Sequence, residues 1–326
     1  MKIEAYISDW AFHQDLSPRE AACLTHVNYS FGHVVDGRVS ISHLKQLDRL
    51  RKLQADFPGL KVNLSVGGWG ADGFSPAVAT AEGREMLAQS AVHVVETLHL
   101  TGIDWDWEYP GSDMAGIAAS PDDPANMSEF LVLMRRKLDD LGRKTGRYYE
   151  QSIAVGASRT GDYLWQQVLP SLDTVNLMTY DMSMEDRVGH VTNLRSAMSA
   201  AYSAEKSAAD FASAGVPKEK LLLGAAFYFH AFEGASLPEP FGKTYGKKGR
   251  NMGADDLDDK WEYRWDDQAK AAWYEQDGSV LSGDDPRSLA EKRRFIETAG
   301  LGGVIIWELN HDRKHRLLPY LAGKQE

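Results

Sequence analysis

The run Thr101-Gly102-Ile103-Asp104-Trp105-Asp106-Trp107-Glu108 sets three carboxylates at every second position. In a β-strand successive side chains point to opposite faces. Asp104, Asp106 and Glu108 therefore share one face, and Ile103, Trp105 and Trp107 share the other. Three acids on one face repel one another and lose hydration, which is costly unless that face lines a polar cavity. Tyr109-Pro110-Gly111 then stops the strand, which puts Glu108 at its C-terminal lip. A carboxylate row that ends at a lip can present an acid to a substrate, and the chemistry it offers is general acid–base catalysis. A solvated edge strand is the plain alternative, but the apolar face needs a large surface behind it. A calcium loop would want Gly and Asn within the run to turn the backbone.

The elements that must position this row follow from periodicity. Strands are expected at Ile3–Ser8, Thr25–Phe31, Lys61–Ser65, Gly102–Glu108, Ser152–Ala157, Thr174–Met178, Leu221–Phe227 and Val304–Glu308. Helical spacing lies between them at Ile41–Asp56, Arg84–Leu98, Met127–Thr145, Tyr163–Leu169, Ala204–Ala214 and Ser288–Thr298. Alternating strands and helices imply right-handed βαβ units and a parallel sheet. The order suits an α/β (β/α)8 TIM barrel, whose active site forms at the C-terminal ends of the strands. A doubly wound sheet would want a glycine-rich first turn, where Ser8-Asp9-Trp10 stands. Residues 1–326 are thus expected to form a single barrel domain, with a flexible rim at Tyr109–Asn126. Residues 233–300 are too long for a plain loop and predict a small α+β insertion subdomain between the seventh and eighth strands.

Other strand ends carry polar or flat groups at the same rim. Ser65-Val66-Gly67-Gly68-Trp69 closes the third strand, Met178-Thr179-Tyr180-Asp181 the sixth, Tyr228 follows the seventh and Trp307-Glu308 closes the eighth. Tyr6 and Trp10 flank the end of the first. Each has an ordinary alternative, since Ser-x-Gly-Gly is often a turn and a Trp more often packs a core.

Taken in order, these motifs resemble the glycoside hydrolase family 18 chitinases. The family's Asp-x-x-Asp-x-Asp-x-Glu signature is matched by Asp104, Asp106 and Glu108, and its Tyr-Pro-Gly tail by Tyr109, Pro110 and Gly111. Ser65, Gly67 and Gly68 match Ser-x-Gly-Gly; Met178, Tyr180 and Asp181 match Met-x-Tyr-Asp; Trp307 matches the terminal Trp. The likeness also takes in Trp265-Asp266-Asp267 and Asp284-Asp285-Pro286 within the insertion. One departure is Thr101 in place of the first Asp of the signature, a position expected to join the polar column beneath the acid.

The resemblance implies an endo-acting chitinase, a hydrolase of chitin or chito-oligosaccharides engaged in chitin degradation, with retention and no cofactor or metal. It makes Glu108 the general acid and base, and the substrate's own acetamido oxygen the nucleophile. Asp106 would orient the acetamide and Asp104 would share a proton with Asp106. Tyr180 and Asp181 complete the catalytic set. Tyr6, Trp10, Ser65, Gly67, Gly68, Trp69, Tyr109, Met178, Tyr228 and Trp307 would bind the substrate. The rival readings are an endo-β-N-acetylglucosaminidase acting on N-glycan cores and a non-catalytic chitinase-like lectin.

Composition narrows the partners. The chain has 36 basic and 47 acidic residues, a net charge of −11, which argues against nucleic acid and anionic membrane. Cys23 is the only cysteine, so no internal disulfide or zinc–cysteine cluster is expected. No run reaches the roughly 18 apolar residues of a membrane span. Met1–Tyr6 lack the features of a signal peptide, so a cytoplasmic monomer is expected of the chain as it stands. A trimmed form of a secreted protein would read the same.

Overall fold

The computed structural model describes residues 1–183, 188–197, 202–233, 247–248 and 251–324. Eight parallel strands close in chain order: β1 (Lys2–Ser8), β2 (His26–Val35), β3 (Lys61–Gly67), β4 (Gly102–Asp106), β5 (Glu150–Gly156), β6 (Thr174–Met178), β7 (Leu221–Ala226) and β8 (Gly303–Trp307). β1 pairs with both β2 and β8, so the barrel has no open edge. The expected (β/α)8 TIM barrel is what forms. A short antiparallel strand, Arg38–Ser40, extends β2 outward as a hairpin. No described helix is long and apolar enough to cross a membrane.

The acidic strand is β4, and its apolar face is buried as its pattern requires. Ile103, Trp105 and Trp107 are 0%, 0% and 1% exposed. Trp105 meets Phe130 edge-on at 4.8 Å, and Trp107 stacks on Phe74 at 5.2 Å. These aromatics lie between β4 and the helices Phe74–Val78 and Asp123–Thr145. Burying an indole of this size contributes several kcal/mol, on the order of 3–5 by truncation, and this holds the opposite face toward the barrel axis.

Several boundaries differ from the sequence expectation, each for a local reason. The helix between β2 and β3 runs Leu47–Asp56 rather than from Ile41, because the Asp9 carboxylate accepts Lys45 N–H at 2.9 Å and Gln46 N–H at 2.7 Å and fixes the chain ahead of it. The helix after β5 is cut to Trp165–Val168, with a 3-10 turn from Leu169 at Pro170. The rim after β4 is tied down by Asp123, which is 0% exposed and accepts Gly111 N–H, Ser120 N–H and the Ser75 hydroxyl.

The insertion begins earlier and ends earlier than 233–300. A six-stranded antiparallel sheet is built from Tyr228–Glu233, Lys247–Lys248, Met252–Gly253, Glu262–Asp266, Ala271–Gln276 and Ser279–Gly283. Pro286–Ala299 is a helix that packs back on the barrel. The Tyr228–Phe232 segment, which follows the expected seventh strand and precedes the expected insertion, joins this sheet by pairing with Ser279–Gly283. Residues 234–246 and 249–250 of the expected insertion lie outside the described residues.

A fully buried ion pair helps join barrel and insertion. Lys292 and Asp284 are both fully buried, with Nζ 2.7 Å from Oδ2. Lys292 also donates to Thr192 and to the Gly224 carbonyl, and Asp284 accepts Ala226 N–H and the Ser288 hydroxyl. Removing one partner strands the other charge in the interior. Lys292→Ala is expected to lower unfolding free energy by about 3–5 kcal/mol, read by denaturant titration; a loss of under about 1 kcal/mol would show that the pair is idle.

Candidate active site

The inward face of β4 meets matching positions on its neighbours. Strand register sets Asp104 opposite Ser65 on β3 and Ser152 on β5. Asp104, fully buried, accepts four hydrogen bonds. Oδ2 takes the Tyr6 hydroxyl at 2.8 Å and the Ser65 hydroxyl at 2.8 Å. Oδ1 takes the Ser152 hydroxyl at 2.6 Å and Asn176 Nδ2 at 3.2 Å. Burial raises its pKa, and those four donors oppose the rise.

Asp106, one pleat further out and 4% exposed, lacks that support. Its Oδ1 is buried with no partner among the described residues. Burial, then the charge of Glu108, then that of Asp104, hold its carboxyl well above the ordinary range. The two carboxyls of the expected proton-sharing pair thus sit in unlike surroundings: four donors oppose the rise at Asp104, and the charges of Glu108 and Asp104 add to it at Asp106. Glu108 stands at the lip. Burial pushes it up to about 7, opposed by a hydrogen bond from Tyr109 and reinforced by the charge of Asp181.

The lip opens into a cavity of about 510 Å³, lined by Asp106, Glu108, Tyr109, Tyr180, Asp181 and Trp307 among others. Trp307 forms an aromatic group with Phe31, stacked at 5.5 Å, and Tyr6, tilted at 5.7 Å. Asp181 takes a left-handed backbone, φ 55°, which turns its carboxylate to accept the Tyr228 hydroxyl at 2.7 Å and to pair with His230 Nε2 at 2.7 Å. Three cis peptides, Ser30–Phe31, Glu108–Tyr109 and Trp307–Glu308, lie at the same end of the barrel.

Of the residues singled out in the sequence, Tyr6, Trp69, Tyr109, Met178, Tyr180, Asp181 and Trp307 line this cavity with the two outer carboxyls. The rest stand elsewhere. Ser65 lies beneath, on Asp104. Gly67 and Gly68 back the acidic strand instead of facing the cavity. Gly67 has φ 125°, and a Cβ there would fall 2.0 Å from the Asp106 carbonyl oxygen. Gly68 N–H donates to that same carbonyl at 2.8 Å. Tyr228 is buried behind Asp181. Trp10 is 60% exposed on the rim, 6.2 Å from Phe31, and does not line the cavity.

Thr101 bridges strands at the base of β4. It accepts Val62 N–H at 2.7 Å and donates to Asn63 Oδ1 at 3.0 Å. Asn63 leads on to Asn28 and Glu4, so Thr101 joins the lower polar ladder and touches neither Asp104 nor Asp106.

Sequence reasoning missed Ser152, Asn176, Phe31, Met114, Arg159, Met182, Tyr202 and His230. Ser152 was legible in principle, because it shares the register level of Asp104 and Ser65. The loop residues carried no spacing signal. Among the described residues, no group of His, Cys, Asp and Glu is arranged to hold a metal.

Comparison with known proteins comes to the same place. The model of the glycosyl hydrolases family 18 matches residues 2–312. Chitinase A1 of Niallia circulans is 32% identical over 302 residues, which is 83% of this chain and 43% of that protein. This chain thus spans less than half of that relative's length. Chitotriosidase-1 of Mus musculus is 27% identical over 350 residues, 95% of this chain and 73% of its own. A solved family 18 N-acetylglucosaminidase from Paenibacillus barengoltzii is 37% identical with a TM-score of 0.92, covering 99% of each chain.

The raised Glu108 makes a stability prediction. Its folded pKa, about 7, lies above the ordinary 4.5. The stability carried by the protonated form is complete below that ordinary value and is lost as pH rises through about 7. Glu108→Gln removes the dependence. Relative to wild type, the variant is expected to gain roughly 3 kcal/mol between pH 4 and pH 8, by denaturant titration at both; equal pH slopes would contradict the raised value.

Proposed function

The chain belongs to glycosyl hydrolases family 18, and from that premise we propose that it is a chitinase, hydrolysing β-1,4-linked N-acetylglucosamine oligomers or polymers with retention through an oxazolinium intermediate. The observation that carries this reading is the pairing at the lip: Glu108, raised to about 7, beside Asp106, whose Oδ1 has no partner among the described residues.

Each group then has a part. Protonated Glu108 gives its proton to the glycosidic oxygen as the C1–O bond breaks. The acetamido carbonyl oxygen of the same sugar attacks C1 from the opposite face and closes the oxazolinium ring. Asp106 Oδ1 accepts the acetamido N–H, which aims that oxygen and offsets the positive charge that develops. As the ring charge grows, the proton shared by Asp106 and Asp104 shifts to Asp104, leaving Asp106 as the anion that balances that charge. Asp104, with its four donors, keeps Asp106 in place from below. Tyr180 donates to the acetamido oxygen, Asp181 holds the sugar's hydroxyls and Trp307 forms the floor. Ionised Glu108 then takes a proton from water, which attacks C1 and returns the β-configuration.

The likeness to an N-acetylglucosaminidase over 99% of both chains supports a substrate built from N-acetylglucosamine. An N-glycan core hydrolase shares this chemistry and would spare a linear oligomer; a lectin would bind it without turnover. Glu108→Gln is expected to lower kcat on chitotetraose by about three orders of magnitude or more, with oligosaccharide affinity kept in calorimetry. Asp106→Asn is expected to cost about two to three orders. Near-normal rates in either variant would overturn the assignment. In wild type the alkaline limb of kcat/KM should fall near pH 7, because Glu108 must hold its proton.

A further inference from the structure

Arg159 lines the cavity but has no part in the steps above. It follows β5 in a tight turn, with its N–H donating to the Gly156 carbonyl at 3.0 Å. The side chain is held from three sides. Nε donates to Asp162 Oδ2 at 2.6 Å. The guanidinium lies over the Tyr109 ring, with Cζ 4.4 Å from its centroid. Gly156 sits against both, since a Cβ there would come 3.0 Å from Arg159 Cδ and 3.1 Å from Tyr109 Cε1. Asp162 is itself only 7% exposed, so the anchor does not wander.

This leaves the outer edge of the fork. Neither Nη1 nor Nη2 has an acceptor among the described residues. Among the described residues that line the cavity, Arg159 is the only cation, set against Asp106, Glu108 and Asp181. Trp69, 61% exposed, stands edge-on to the same Tyr109 ring at 6.3 Å and lines the same cavity as Arg159. A planar, pre-oriented guanidinium donates to carbonyl oxygen and repels an ammonium.

Resting on the reading of the chain as a hydrolase of N-acetylglucosamine polymers, we infer that Arg159 is a specificity-determining residue. It reads the nitrogen substituent of a sugar neighbouring the one whose acetamide reacts, accepting the acetamido carbonyl and rejecting the protonated amine of glucosamine. The reacting sugar must be acetylated in any case, so the selection shows at the other positions that flank the cleaved bond.

The test is digestion of partially N-acetylated chitosan at mildly acidic pH, with the sugars around each new end sequenced by mass spectrometry. Wild type is expected to deplete glucosamine at one position besides the reacting one. Arg159→Gln, which removes the charge, is expected to raise glucosamine there at least fivefold; Arg159→Lys, which keeps it, should stay within about twofold of wild type. No depletion in wild type would overturn the inference whatever the variants do. So would an Arg159→Gln variant whose only change is a shifted Glu108 limb in the pH profile, which would make Arg159 a positioning residue acting through Tyr109. If wild type cleaves no bond between N-acetylglucosamine units, the functional reading itself fails and the inference falls with it.

Discussion

One buried carboxylate organises this end of the molecule. Asp104 draws donors from four strands, Tyr6 on β1, Ser65 on β3, Ser152 on β5 and Asn176 on β6. A hydrogen bond to a charged group contributes about 1.5–3 kcal/mol net, and a buried carboxylate without such bonds costs far more. The barrel and the charge therefore require each other: the strands must close in this register to satisfy Asp104, and Asp104 pins them at that level. The alternation of β4 then decides where Asp106 and Glu108 stand. Gly67 and Gly68 press β3 against the Asp106 backbone, where any side chain at Gly67 would clash.

A gradient runs outward from that pin. Asp104 is buried among four donors, Asp106 is buried with Oδ1 unpartnered among the described residues, and Glu108 has partial burial at the lip. The same side-chain chemistry is thus set in three different surroundings by position along one strand. That order suits a site in which the deepest group anchors, the middle one changes its proton during reaction and the outermost trades a proton with substrate.

Much of this was legible in the sequence, because it rests on period-two alternation. The carboxylate face, its apolar back at Ile103, Trp105 and Trp107, and the barrel all follow from spacing. What escaped depends on contacts between distant segments. Tyr228–Glu233 carries no strand expectation of its own, and joins the insertion sheet only through Ser279–Gly283 beside it. The start of the helix Leu47–Asp56 is set by Asp9, far back in the chain. Gly67 and Gly68 looked like substrate contacts, and are close approaches between strands. Trp10 shows a flat surface to solvent outside the cavity, which no pattern distinguishes from Trp69 at its wall. Arg159 lies on a loop with no period at all, and only its stacking on Tyr109 gives it a place.

The central claim is that the acetamide of the substrate, held by Asp106 and driven by the acid at Glu108, forms the bond to C1. Its most direct test is the anomeric form of the product released from chitotetraose, followed by NMR before mutarotation. The β-anomer, appearing first, is the predicted result. Initial release of the α-anomer would mean that water attacks directly, and the substrate-assisted account would be wrong.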